Sequence, residues 1–438
     1  MEPLYAGYLG IFLLIVLIFL SIPITYAMAA IGIGGLTYVY GFQGVIHFLP
    51  LQLYSFTSTF SFAALPLFLL MGFIAFHADL SQDSYDAARA WLGRMPGGLA
   101  VATVYACAIF GAASGSGLAE AAVFSKMAVP EMLKSGYNKR LSVGVVATAS
   151  GIDALIPPSI LMVIYGVMTE TSIGKLLIAG IMPGILFAVV FAIGISLFCY
   201  FKPAYAPKGA VFDTSWRMRI RTLRKIWAVA LLLFIVLGAI YLGWATPDEA
   251  AGVGVIGALL VLLHRKKFSW KSLKDSAIDC AKASAMLLLL GGTATIFVQF
   301  LSVTKVISSA TQWMIGMQLP FWMLLVVLVV MYLCLGCLMD SVSMMVLTLP
   351  FVVPIIVDHG ASLVWFGVVF VMVAAIGSVT PPMGLSIYVM KAALGDQVDL
   401  KDIFAGSAPF VILMLFLVAI LCAVPQISLW LPGMMLGK

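Results

Sequence analysis

The chain is predicted to be an all-α polytopic membrane protein. It is built from two inverted-topology repeats, each carrying a re-entrant helical hairpin and a transmembrane helix broken at a Pro-Pro pair. Three observations predict this: a composition incompatible with water, four landmarks that recur in register, and a one-sided placement of lysine and arginine. Of the 438 residues, 63% are hydrophobic and 10% charged, and the mean hydropathy is +1.14, far beyond a soluble domain. Apolar runs able to cross ~30 Å of hydrocarbon recur along the whole chain. The start, Met1-Glu2-Pro3, lacks the positive segment of a signal peptide, so the first helix is expected to be retained.

The landmarks come in pairs. Pro157-Pro158 recurs as Pro381-Pro382, and Pro23 recurs as Pro247, both at an offset of 224. Gly111 matches Gly336 at 225, and Gly180 with Pro183 matches Gly406 with Pro409 at 226. Register kept over four landmarks argues for a duplicated half, and duplicated halves with interrupted helices mark the binding region of secondary transporters. The first repeat is taken as 1–201, a basic joint as 202–225 and the second repeat as 226–438.

Charge sets the orientation. Lys202, Lys208, Arg217, Arg219, Arg221, Arg224 and Lys225 crowd the joint, and Arg265, Lys266, Lys267, Lys271, Lys274 and Lys282 follow one apolar segment. Arg89, Arg94, Lys134, Lys139 and Arg140 flank the segment holding Gly111. Stretches 42–56, 243–249 and 357–362 have neither residue type. Lysine and arginine mark the cytoplasmic side, which places both termini outside.

From that start, helices at about 6–21, 22–41 and 57–77 run in, out and in. A hairpin at 97–135 leaves the cytoplasm and returns to it. A broken helix at 141–170 runs out, and 174–200 returns to the joint. The second repeat mirrors this with 226–243, 246–264, 281–301, a hairpin at 320–357 entered from outside, a broken helix at 363–394 and a last span at 402–432. Each half makes an odd number of crossings, so the copies are inverted. Segments 42–56, 80–95, 268–282 and 304–318 are too polar to span and are expected along the membrane surface. Asp79, Asp83, Asp86 and Arg89, like Lys271, Lys274, Asp275 and Asp279, fit solvated faces of such helices or braces between a moving and a fixed part.

Interrupted helices at membrane depth persist only where they line protein or water. Gly111-Ala112-Ala113-Ser114-Gly115-Ser116-Gly117 reads as the tip of the first hairpin, with 336–343 as its counterpart. Pro157 and Pro381 remove donors and clash with the preceding turn, leaving 150–153 and 377–380 as unwound links. Loose carbonyls and hydroxyls suit a weakly held hard cation such as Na⁺, and helix N-termini suit an anion. Ser116, Ser159, Ser341 and Pro382 lie near four such N-termini, so a carboxylate site between two cation sites needs no buried arginine.

Several function classes lack their residues. No His-Glu-x-x-His, Gly-x-Ser-x-Gly or facing Asp pair supports an intramembrane enzyme, and no phosphate-cradling Gly-x-x-x-x-Gly-Lys run supports an ATP-driven pump. Cys334 and Cys337 have no partner at ligand spacing, and His47, His77, His264 and His359 are scattered, so no cofactor is expected. A channel has no use for breaks duplicated with opposite topology. The basic balance is that of loops beside a membrane, not of a nucleic-acid surface.

The runs 110–122, 156–166, 246–251, 336–340, 380–385 and 428–432 resemble the large membrane subunit of TRAP (tripartite ATP-independent periplasmic) transporters, in the family's order and over nearly the whole chain. The resemblance implies an elevator-type, sodium-driven importer of organic acids in a bacterial inner membrane. Its partners would be a small four-helix membrane subunit and a soluble periplasmic binding protein. Carried over by motif, one Na⁺ site joins the first tip to its link through Ser114, Gly115, Ser150, Gly151, Asp153 and Ile156. A second joins Gly336 and Asp340 to Gly377, Thr380 and Pro382. Substrate lies near Ser114, Gly115, Ser116, Ser159, Asp340, Ser341, Ser343 and Pro382.

One position departs from the family, which usually has glycine where this chain has Asp153. That carboxylate could strengthen cation binding, repel an anion, accept a proton, or hold nearby backbone. Glu120 either reaches the site or caps the hairpin helix, Lys126 is expected to snorkel, and Asp340 is expected to shape the second tip or its ion site. A stand-alone Na⁺ or H⁺ symporter for dicarboxylates would share the repeat and hairpins. Dependence on an added binding protein separates the two.

Overall fold

The computed structural model describes residues 2–20, 22–207, 215–382 and 384–435, and their regular elements are all helical. Lys208 and Lys438 lie outside the described residues. The first half contains α1 (Pro3–Phe19), α2 (Ile24–Thr57), α3 (Ala64–His77) and α4 (Leu80–Leu92). The first hairpin is α5 (Gly98–Ser114) and α6 (Gly117–Lys134), the broken helix is α7 (Lys139–Ala149) and α8 (Ile160–Met168), and α9 (Ile173–Phe201) closes the half. The joint contributes α10 (Trp216–Leu223), bent 43° from α11 (Trp227–Tyr241). Then come α12 (Pro247–His264), α13 (Trp270–Val303), α14 (Val306–Gly316), α15 (Phe321–Gly336) and α16 (Ser341–Asp358). The chain ends with α17 (Leu363–Gly377), α18 (Leu385–Leu394), α19 (Leu400–Ala423) and α20 (Gln426–Gly433). Seven helices among the described residues are long and apolar enough to cross a membrane.

The offset found in the sequence reappears in the backbone. The hairpin helices α6 and α16 are each 18 residues long and start 224 positions apart. Helices α4 and α14 each follow a left-handed residue, Asp79 at φ 57° and Lys305 at φ 61°. Both Pro-Pro peptides are cis.

Where the halves differ, the reason is local. In the first, the surface segment continues from the preceding span through a kink at Gly41 (φ 74°, ψ 164°), and the break falls after Thr57. In the second, the break falls before Trp270, and surface segment and span form one 34-residue helix, α13. The expected separation of 268–282 from 281–301 is therefore corrected, because no glycine or proline interrupts 270–290. The last span also ends early, at Ala423, with Pro425 starting a separate helix.

An outer frame forms where α2 lies along α13. Gly10, Gly32 and Gly35 leave room there for Phe300 and the backbone of Phe297, and α1 and α14 flank the pair. The remaining core interlocks crosswise between halves: α6 packs on α18, α8 on α16, α7 on α19 and α9 on α17. Where α7 crosses α19, Gly144 abuts the Gly406 carbonyl. Asp402 holds the same crossing by pairing with Lys139 at 3.3 Å and Arg140 at 3.0 Å.

The acids of α4 are not a solvated face. Asp83 is buried and pairs with Arg265, whose guanidinium also donates to the carbonyls of Ala78 (3.1 Å) and Lys225 (2.9 Å). Asp86 meets Lys225 at 3.5 Å, Asp79 meets Lys267, and Arg89 reaches Glu131 on α6. Helix α4 thus ties the ends of α11 and α12 to the first hairpin.

Candidate ion and substrate site

Each hairpin tip lies against the link of its own half. In the first half α5 stays helical through Ser114, so the tip is only Gly115 and Ser116, shorter than the expected 111–117. Gly115 ends α5 in the left-handed region at φ 62°, which glycine alone adopts without strain, and its N–H donates to Gly111 O. Gly111 serves close approach instead of a break: a Cβ there would lie 2.8 Å from Glu120 Oε1 and 3.3 Å from Asp153 Cα. A Cβ on Gly115 would lie 2.5 Å from Pro158 O, and one on Gly117 would lie 2.6 Å from Asp153 Oδ1 and 2.7 Å from Ser150 O.

The link itself is a 3₁₀ turn, Ser150–Ala154, followed by irregular chain up to Ser159. Ser159 caps α8, accepting from Met162 N at 3.4 Å while its hydroxyl donates to Ala154 O at 2.7 Å. The Ser150 hydroxyl donates to Ala147 O at 2.9 Å, leaving its carbonyl turned toward Gly117. Gly151 packs against Ala375 of α17, so the link also touches the other half's broken helix.

In the second half the approach is backbone on backbone. A Cβ on Gly377 would lie 2.6 Å from Gly336 Cα, and one on Gly336 would lie 2.8 Å from Gly377 Cα. Thr380 and Ser378 donate their hydroxyls to Ile376 O (2.6 Å) and Ala375 O (2.8 Å). Helix α18 starts after Gly384, left-handed at φ 45°, and Pro382 is exposed. The N-terminus expected at Pro382 is therefore displaced to Gly384, whose left-handed backbone leads into α18.

A cavity of about 590 Å³ opens beside the first tip. Its walls include Ser114, Ser116, Ala119 and Phe110 from the hairpin, Gly72 and His77 from α3, and Asp275, Asp279 and Lys282 from α13. It has the size of a small-ligand site and lies between hairpin and frame.

Residues 11–427 match the family described as the tripartite ATP-independent periplasmic transporter, DctM component. The chain belongs to this family. It is 31% identical over 402 residues to the C4-dicarboxylate TRAP transporter large permease protein DctM of Pseudomonas aeruginosa, covering 91% of this chain and 92% of that one. It is 31% identical over 431 residues to the ectoine/5-hydroxyectoine TRAP transporter large permease protein UehC of Ruegeria pomeroyi, with 97% and 98% covered. The isethionate TRAP transporter permease protein DctMQ of Oleidesulfovibrio alaskensis is 31% identical over 98% of this chain, which spans 66% of that longer protein. Among solved structures, the Alcanivorax borkumensis YdaH transporter aligns with a TM-score of 0.57 at 13% identity, covering 88% of this chain and 89% of that one. That likeness is one of fold.

As a DctM-family permease, the protein is a multi-pass inner-membrane transporter subunit. Most of the residues expected at the ion sites gather at the tips and links. Asp340 has a structural job among them. It is the N-cap of α16, and its Oδ1 accepts from Val342 N (3.0 Å) and Ser343 N (2.9 Å), while the Ser343 hydroxyl donates to Oδ2. Two first-turn donors of α16, the N–H groups of Val342 and Ser343, are thereby occupied. Asp340→Ala is expected to lower stability by about 1 kcal/mol, and Asp340→Asn, which still caps, by less; thermal unfolding of the purified variants reads the difference.

The sequence reading leaves Glu120 two alternatives and puts Asp275 and Asp279 on a solvated or bracing face. The α13 residues Asp275, Asp279 and Lys282 face the cavity, a placement that follows only from α13 being continuous. Glu120 does not cap its helix: the N-cap is Ser116, which makes no side-chain cap bond, and the glutamate is fully buried with Ser114 Oγ donating to its Oε1 at 3.1 Å. The signal was a carboxylate one turn past a glycine-rich tip.

Proposed function

We propose that the protein imports a small organic-acid anion across the bacterial inner membrane, driven by a sodium gradient, as the large permease of a tripartite transporter. The observation that carries this reading is the twofold pairing of hairpin tip with unwound link, at Gly111, Gly115 and Gly117 against 150–158 and at Gly336 against Gly377. Two such pairings, 224–226 positions apart and flanked by basic clusters on alternate sides, are what inverted repeats require. The residues fit a monovalent hard cation, with link carbonyls and the carboxylate of Asp153 as oxygen donors. Sodium would supply there the positive charge that draws tip and link together and the downhill gradient that drives uphill import.

The cargo's carboxylate is read into the 590 Å³ cavity. Ser114 and Ser116 hydroxyls, the N-terminal end of α6 and the Lys282 ammonium, which shares its wall with Asp275 and Asp279, are its polar surroundings, and Phe110, Phe73 and Val123 its apolar wall. The hairpins and broken helices, interlocked crosswise, are read as one body that slides against the α2–α13 frame, carrying the cavity with it in an elevator motion. The curated relatives are named for C4-dicarboxylates, ectoine and isethionate, so the family accommodates different small acids. A small membrane subunit and a periplasmic binding protein complete the reading. The relative named DctMQ, longer than this chain, agrees with a large subunit fused to a small one.

Reconstitution into proteoliposomes tests the proposal. Uptake should require an inward sodium gradient, the small subunit and the cognate loaded binding protein. Sodium-dependent uptake without any binding protein would instead favour a stand-alone symporter, and uptake indifferent to sodium would refute the coupling.

A further inference from the structure

The basic joint between the halves holds a surface that the transport reading leaves unused. Helix α10 carries three stripes at helical spacing. Met218, Arg219 and Thr222 form the covered stripe, with Thr222 buried. Trp216, Ile220 and Leu223 form an apolar one and are 68%, 50% and 51% exposed. Arg217, Arg221 and Arg224, each one residue further along, form a basic one and are exposed beside them.

Docking on α4 fixes which way the two open stripes point. Arg219 Nε donates to Ala90 O at 3.3 Å, and its guanidinium lies 5.6 Å from the Trp91 ring and 5.1 Å from the Trp216 ring. The two indoles meet edge to face at 6.3 Å. The basic stripe has no acid to answer it. Arg217, Arg221 and Arg224 form no ion pair among the described residues. The joint 202–225 holds seven basic residues against one acid, Asp213, which lies outside the described residues. The acids of α4 are taken, Asp83 by Arg265 and Asp86 by Lys225. The three arginines instead line an open hollow of about 560 Å³, with Ile220 as apolar wall.

The two stripes together decide what covers this surface. Guanidinium groups bind phosphate through paired hydrogen bonds. Exposed Trp, Ile and Leu beside them call for an apolar phase, and α10 is bent 43° from α11, whose run Trp227–Tyr241 is apolar throughout. A helix with a cationic face and an aromatic-aliphatic face lies in the headgroup layer, where each basic residue attracts anionic lipid. A free anion would answer the arginines and leave the apolar stripe in water.

We propose that α10 is a binding site for anionic phospholipid of the cytoplasmic leaflet. Arg217, Arg221 and Arg224 hold its phosphate, and Trp216, Ile220 and Leu223 sit against its glycerol and upper acyl region. Because α10 docks on α4, the lipid braces the same joint that α4 ties to the first hairpin.

The test uses the full-length protein purified in neutral detergent. Its thermal unfolding midpoint is followed against added phosphatidylglycerol, phosphatidylcholine or inorganic phosphate. Phosphatidylglycerol should raise the midpoint along a saturable curve, and the other two should not. Arg217→Gln/Arg221→Gln/Arg224→Gln should raise the half-saturating phosphatidylglycerol concentration about 100-fold, at about fivefold per arginine. Lys271→Gln/Lys274→Gln, which removes exposed charge from α13, should keep the wild-type value. No response to phosphatidylglycerol, or an equal one to phosphatidylcholine, would overturn the proposal. An equal response to phosphate would make this a free-anion site and overturn it too. So would unchanged half-saturation in the triple variant, or an equal shift in the α13 variant. Should the triple variant fail to fold, Arg221→Gln carries the test with its fivefold shift, and no shift there is equally fatal.

Discussion

Gly377→Ala is expected to reduce transport about 100-fold while the protein still inserts and folds. The added methyl would sit 2.6 Å from Gly336 Cα and 3.0 Å from Gly336 C. Those atoms are backbone of the second tip, not the end of a side chain that could swing away. Tip and link must therefore separate, and displacements of about 1 Å in a site built from fixed oxygens cost on the order of 100-fold in function. The accompanying strain from one methyl in a closed contact is about 1–3 kcal/mol, enough to register in a melting curve and too little to unfold the protein. Uptake by proteoliposomes, normalised to reconstituted protein, is the measurement. Wild-type uptake by this variant would mean that the second tip and link need not touch.

Gly144→Leu should have a larger effect, on folding itself. Even a single methyl at Gly144 would overlap the Gly406 carbonyl, and one at Gly406 would overlap the Arg140 carbonyl. Small residues at a helix crossing let backbones approach closely, which is a main source of association inside a bilayer. Three further carbons cannot be absorbed where both surfaces are main chain, so the variant is expected to be lost as aggregated or degraded protein. Gly34→Leu is the control, since nothing lies within 4 Å of its Cβ position, and it should give normal yield. Size-exclusion profiles of the two variants beside wild type check both expectations. A monodisperse Gly144→Leu would show that α7 and α19 can part.

These contacts also mark the boundary of what the sequence discloses. The breaks at Pro157 and Pro381 are legible because a missing N–H belongs to the residue, whatever surrounds it. The pairing of halves is legible because prolines and glycines keep their spacing through duplication. The continuity of α13 is not: the charges between Lys271 and Lys282 suggest a separate surface segment, yet helix persists wherever nothing breaks it. The run at Gly111 misleads for a related reason. Four small residues suggest a loop, but here they admit Glu120 and Asp153 from outside the helix, and α5 continues to Ser114. Asp340 could shape the second tip or its ion site, and its two amide partners show that it shapes the tip. Whether a carboxylate caps or coordinates depends on which N–H groups point at it, and that is decided only when helices fold back on each other.

The crosswise interlock of α6 with α18, α7 with α19, α8 with α16 and α9 with α17 sets a timetable for biogenesis. While the ribosome is still short of residue 341, four helices already released into the bilayer lack the neighbours that complete them. The N-terminal portion must wait in lipid as a half-open clasp until the C-terminal portion threads in. Severing the polypeptide at 208–214 and supplying only the leading fragment would leave that clasp permanently ajar.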